Sequence, residues 1–118
     1  MAGEYIPMEM MKVYRDNKEI AIITRVIDSS NFDKRLKIDL TKDSNDIDRT
    51  VIKDIFSRNI SIFGKKPDGS ITWFYFKKGS MEHFSFASLE LEKRNYKVMR
   101  DKKTTDYLKQ LIKNYFPK

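Results

Sequence analysis

Apolar and polar residues alternate on both sides of the polar stretch Asp16-Asn17-Lys18, which predicts a β-hairpin with strands over about 8–15 and 19–27. In KRLKIDL (34–40), Leu36, Ile38 and Leu40 alternate with Arg35, Lys37 and Asp39, as in a strand with one solvated face. The period then changes. Ile47, Val51, Ile52, Ile55 and Phe56 follow the stripe of an amphipathic helix, with Ser44 or Asn45 as its N-cap and Asp46 and Asp48 in its first turn. A second hairpin over 58–78 turns at Pro67-Asp68-Gly69, where proline presets φ and glycine accepts a positive value. MEHFSFASLELE (81–92) alternates through Phe84 and Phe86 and predicts a strand; Leu89 and Leu91 have the opposite parity, which implies a bulge or break near Ala87-Ser88. NYKVMR (95–100) predicts another strand. TTDYLKQLIKNYF (104–116) puts Tyr107, Leu108, Leu111, Ile112, Tyr115 and Phe116 on one helical face, ended by Pro117.

The pattern therefore predicts an α+β fold in which antiparallel strands followed by a helix occur twice. Shifting the chain by 60 residues lays 33–56 over 93–116 without a gap and matches Lys37 with Lys97, Lys42 with Lys102, Asp46 with Asp106, Ile52 with Ile112, Lys53 with Lys113 and Phe56 with Phe116. Two copies are too few for a solenoid, so units 1–58 and 59–118 are expected to combine into one domain of 118 residues.

Composition narrows the chemistry. Cysteine is absent, which excludes disulfides, thiol catalysis and thiolate metal sites and agrees with a cytoplasmic or nuclear setting. The N-terminus lacks a signal-peptide pattern, and the longest apolar runs, IAII and WFYF, are too short to cross a membrane, so no membrane partner is expected. Net charge is +7, and its distribution is uneven: residues 1–58 hold 11 Lys/Arg against 11 Asp/Glu, whereas 59–118 hold 13 against 6. A one-sided positive field points to an acidic partner, most commonly nucleic acid; the bland alternative is a solvated lysine-rich surface.

The best candidate site is the second hairpin. SITWFYFKKG (70–79) places Trp73 and Tyr75 on one parity and Phe74 and Phe76 on the other, while Arg58, Lys65, Lys66, Lys77 and Lys78 occupy its ends. Cations that neutralise phosphates, together with flat rings that stack on bases, are what a single-strand binder needs. The competing assignment for Trp73 and Tyr75 is core packing beneath a helix. A second basic group, Lys93, Arg94, Lys97, Arg100, Lys102 and Lys103, either extends a phosphate track through Arg94 and Lys97 or forms a solvated sheet edge.

Catalytic and metal motifs are missing. DLTKDSNDID (39–48) lacks the glycine and distal glutamate of a calcium loop and is better explained by helix capping. His83 is the only histidine, Glu90 and Glu92 complete no catalytic constellation, and Gly64, Gly69 and Gly79 are isolated. Neither cofactor nor metal is expected, and the chain is expected not to be an enzyme.

Strands followed by a helix, twice over in about 60 residues each, resemble the architecture of PUR-repeat and Whirly-type proteins. That resemblance implies a domain of two intertwined units that binds single-stranded DNA or RNA across its sheet. It carries over no individual residue, because the Arg-Gly-aromatic-aliphatic pattern of PUR sheets is missing. The expected function is single-stranded nucleic-acid binding through Trp73, Tyr75, Arg58, Lys65, Lys66, Lys77, Lys78, Arg94 and Lys97. The alternative is a protein-interaction module (an inhibitor, immunity protein or small subunit) anchored by the same aromatic face, and self-association as a homodimer is a further partner class.

Overall fold

The computed structural model describes residues 5–30, 33–57, 59–76 and 80–100, together with 110, 113 and 114. Its elements are β1 (Tyr5–Arg15), β2 (Lys18–Asp28), β3 (Lys34–Leu40), α1 (Asp46–Ile55), β4 (Ile60–Lys65), β5 (Ile71–Tyr75), α2 (Ser80–Lys93) and β6 (Lys97–Arg100). The class is mixed α+β. Strands of both halves of the chain join one antiparallel sheet in the order β4-β5-β3-β2-β1-β6.

Local chemistry explains the boundaries. Asp16 and Asn17 both have positive φ (50° and 64°), the requirement of a two-residue turn whose twist matches that of the strands it joins. The β4–β5 turn closes through Lys66 N–H on the Ser70 carbonyl (2.8 Å) and Gly69 N–H on the Lys66 carbonyl (3.0 Å), with Gly69 at φ 88°. Asn45 caps α1 in a reciprocal box: Asp48 N–H donates to Asn45 Oδ1 at 2.8 Å and Asn45 N–H to Asp48 Oδ2 at 3.0 Å. A helix of ten residues is too short to be stable alone. Burial of Ile52, Ile55 and Phe56 anchors it, at roughly 1.5–3 kcal/mol per side chain. Ile47, expected on the same stripe, is instead 71% exposed.

The register puts Met11 and Val13, Ala21 and Ile23, Leu36, Ile38 and Leu40, and Trp73 and Tyr75 on one face of the sheet. Ile52, Ile55 and Phe56 of α1 and Phe84, Ala87 and Leu91 of α2 pack on that same face in a single core. A register shift between Val13 and Tyr14 leaves Ile20 as the extra residue, and this bulge lets Ile20 join the core beside Ala21.

Residues 80–93 correct the strand expected there: they form α2. Phe84, Ala87, Ser88 and Leu91 are buried at i, i+3, i+4 and i+7, so the parity change at Ala87-Ser88 is a helical period and not a bulge. The helix ends in a Schellman motif, with Asn95 at φ 68°, Asn95 N–H on the Glu92 carbonyl (3.1 Å) and Tyr96 N–H on the Leu91 carbonyl (3.0 Å). The expected helix over 104–116 lies outside the described residues, save that Gln110, Lys113 and Asn114 are helical and exposed.

Candidate nucleic-acid interface

Among the described residues the helices α1 and α2 share one face, and the functional question concerns the other. Cross-strand rows there run Met10–Thr24–Lys37–Phe74, Lys12–Ile22–Asp39–Thr72 and Val26–Arg35. Phe74 is buried against the Tyr5 ring, 4.8 Å between centroids, and Phe76 lies 6.1 Å from Phe74. The Arg35 guanidinium sits 4.7 Å over the Phe76 ring and donates to Tyr5 Oη at 2.9 Å. Half-exposed rings (Tyr5, Tyr14), the exposed ring of Phe76 and the half-buried cations Lys12, Arg35 and Lys37 thus share this surface with the buried Thr24, Val26, Thr72 and Phe74. Its charges are partly balanced by long pairs: Lys12–Glu19 (3.8 Å), Lys37–Asp39 (3.9 Å) and Arg35–Asp33 (3.6 Å).

The expected stacking rings are elsewhere. Trp73 is 6% exposed and Tyr75 1%, both on the helix-covered face, where Tyr75 packs against Phe56 (5.0 Å) and His83 (5.3 Å). The parity of β5 is therefore the reverse of the binding assignment, because pairing Ile38 with Trp73 and Leu36 with Tyr75 aligns them with the apolar side of β3. Stacking of bases on Trp73 or Tyr75 is excluded while that core is intact. Among the described residues the buried Trp73 indole N–H has no hydrogen-bond partner, and burial pushes the Tyr75 phenol up.

The described cations of the candidate set, Lys65, Lys66, Arg94 and Lys97, do not form one patch. Lys65 and Lys66 are exposed around the β4–β5 turn. Lys66 lines a groove of about 480 Å³ where Lys37, Lys42 and Lys66 are matched by Asp39, Asp43 and Asp68. Arg94 is committed to Asp54 at 3.1 Å. Lys97 is exposed on β6, which lies at one end of the sheet among the described residues. Arg58, Lys77 and Lys78 lie outside the described residues. The described residues carry 17 Lys/Arg and 14 Asp/Glu, net +3, so much of the +7 falls on residues beyond them.

Near the Lys97 end, a wholly buried carboxylate organises the surface. Asp48 accepts from Arg15 Nε at both oxygens (2.9 and 3.0 Å) and from Tyr96 Oη at 2.7 Å, in addition to the Asn45 N–H. Burial alone would push this carboxyl up, but the hydrogen bonds from Arg15, Tyr96 and Asn45 outweigh it and hold Asp48 below the usual carboxylate range. Burial and the bond to Asp48 push the Tyr96 phenol up to about 12. Arg15 is flanked by Tyr14 and Asp16, and Tyr96 by Asn95 and Lys97. The carboxylate therefore ties together two chain segments that wall a cleft of about 330 Å³. Sequence reading assigned Asp48 to capping alone; its partners are 33 and 48 residues away in the chain, and no local pattern links them.

Comparison with protein-family models, curated proteins and solved structures finds no match to this chain. Among the described residues, no helix is long and apolar enough to cross a membrane.

Proposed function

We propose that the protein is a non-enzymatic binder of single-stranded DNA or RNA that uses the sheet face opposite α1 and α2, and that it acts in the cytoplasm or, in a eukaryotic cell, the nucleus. The observation that carries this proposal is the interleaving of Tyr5, Tyr14 and Phe76 with Lys12, Arg35 and Lys37 on that face. Rings stack on bases of any identity and cations displace counterions from phosphates. The three ion pairs there are long and solvent-accessible, so exchanging them for phosphates costs little. Arg94 and the β4–β5 lysines drop out of the binding set, and Lys97 stays in it.

A duplicated sheet-then-helix plan, as in PUR-repeat and Whirly-type proteins, belongs to the same proposal. Under the 60-residue shift β3 falls over a stretch containing β6, and β1 falls over one containing β5, which supports it; β2 falls over α2, which does not. The test is titration of labelled single-stranded oligonucleotides at several salt concentrations. Binding at low salt that weakens steeply as salt rises is expected, and no binding at low salt overturns the proposal.

One observation favours a protein partner as a second reading: Phe86 and Leu89 are 47% and 61% exposed on the outer side of α2. Such a complex would survive high salt and be lost on Phe86→Ser/Leu89→Ser, with oligonucleotide binding untouched.

A further inference from the structure

The cleft walled by the β1–β2 turn, by Asn95 and by β6 has a composition that the broad face lacks. Tyr14, Asn17, Asn95, Lys97, Met99 and Asp16 line it, and its volume of about 330 Å³ suits one ring-sized ligand. Four of these side chains are uncommitted: among the described residues Tyr14, Asn17, Asn95 and Lys97 make no side-chain hydrogen bond or ion pair. The left-handed backbones of Asn17 (φ 64°) and Asn95 (φ 68°) are imposed by the hairpin turn and the helix stop. Glycine would meet both requirements, so the carboxamides are chemically surplus to the turns. Rigidity comes from Asp48, which holds Arg15 beside Tyr14 and Tyr96 between Asn95 and Lys97.

Resting on the nucleic-acid proposal above, we propose that this cleft is a subsite for one unpaired nucleobase, which gives the protein base preference. The Tyr14 ring and the Met99 thioether supply flat and polarisable contact. The carboxamides of Asn17 and Asn95 offer donor and acceptor side by side, the complement of a base edge. Lys97 takes the adjoining phosphate. Asp16, paired with Arg15 at 3.5 Å, repels phosphate from its own side and accepts from an exocyclic amine, so adenine and cytosine are favoured over thymine and uracil.

Fluorescence anisotropy with adenine, cytosine and thymine homo-oligonucleotides of about a dozen nucleotides tests this, using a site of ordinary single-strand size. Tyr14→Leu is expected to weaken every oligonucleotide about tenfold, the loss of one stacked base. Asn17→Gly/Asn95→Gly, which keeps both backbone conformations, is expected to reduce the adenine-over-thymine preference to less than about twofold. Salt-sensitive wild-type binding whose base preference is unmoved by Asn17→Gly/Asn95→Gly overturns the cleft, whatever Tyr14→Leu does, because Tyr14 also belongs to the broad face, and leaves the functional proposal to the rest of that face; no wild-type binding of any oligonucleotide overturns both. Should a variant fail to fold, titrating isotope-labelled wild-type protein with adenosine monophosphate decides: side-chain amide signals of Asn17 and Asn95 shift first if the cleft binds, and their constancy overturns it.

Discussion

Three buried side chains, Asp48, Tyr96 and Trp73, carry different lessons at the scale of the residue. Asp48 is 0% exposed and fully partnered, so Asp48→Asn removes the charge that Arg15 faces and is expected to cost about 3 kcal/mol near neutral pH by denaturant unfolding. Its folded-state pKa is lowered, so its contribution is present above the unfolded carboxylate pKa near 4; the gap between wild type and variant should close as pH falls further. Tyr96 has the opposite sign: its phenol is raised to about 12, its contribution is complete below about pH 10, and the gap between wild type and Tyr96→Phe should close between those two values. Trp73 is buried with an N–H that has no partner among the described residues, a group whose desolvation costs about 1–3 kcal/mol. Trp73→Phe gives up area but relieves that penalty, so it should cost well under the 3–5 kcal/mol or so of an ordinary Trp→Ala change. Its fluorescence should resist aqueous quenchers, and the substitution should leave oligonucleotide binding unchanged. A quencher-accessible indole would show that the β5 parity is wrong.

At the scale of the element, turns and strand alternation were legible because their causes are local. Asp16-Asn17 and Pro67-Asp68-Gly69 state their backbone needs outright, and Leu36, Ile38 and Leu40 declare a face. α2 was not legible as a helix because Phe84 and Phe86 mimic alternation over three residues, while the informative spacing, Phe84 to Ala87, Ser88 and Leu91, needs eight. The stop signal was present in Lys93-Arg94-Asn95, basic residues in the last turn followed by an αL asparagine. Which face of WFYF is core was not legible at all, because both parities are aromatic and only pairing with β3 decides it. The helical assignment has a direct test in Ser85, exposed in mid-helix. Ser85→Pro is expected to cost about 3 kcal/mol or more by breaking the helix, and Ser85→Gly only about 1 kcal/mol relative to Ser85→Ala, measured by chemical denaturation. On an exposed strand alanine would hold no advantage over a β-branched residue, so a stabilising Ser85→Thr relative to Ser85→Ala would contradict the helix.

For the whole molecule, the uneven charge along the chain does not by itself make a binding face, because folding redistributes it: Arg94 pairs with Asp54 of the other half, and Arg25 and Arg100 both turn to Glu9. A binding face must therefore be distinguished from a merely positive molecule. Lys37, half-buried on the sheet face opposite α1 and α2, and Lys53, exposed on α1, serve as matched probes, since Lys→Glu at either changes the net charge equally. If oligonucleotides bind across the sheet, Lys37→Glu should weaken them at low salt and reduce the magnitude of the salt slope by about 0.7 or more, one phosphate contact on a single strand. Lys53→Glu should change affinity slightly through the long-range field, an effect that vanishes at physiological ionic strength, where the screening length is about 8 Å. Equal losses from the two substitutions would mean that only net charge attracts the polyanion, and a larger loss from Lys53 would move the interface to the helical side.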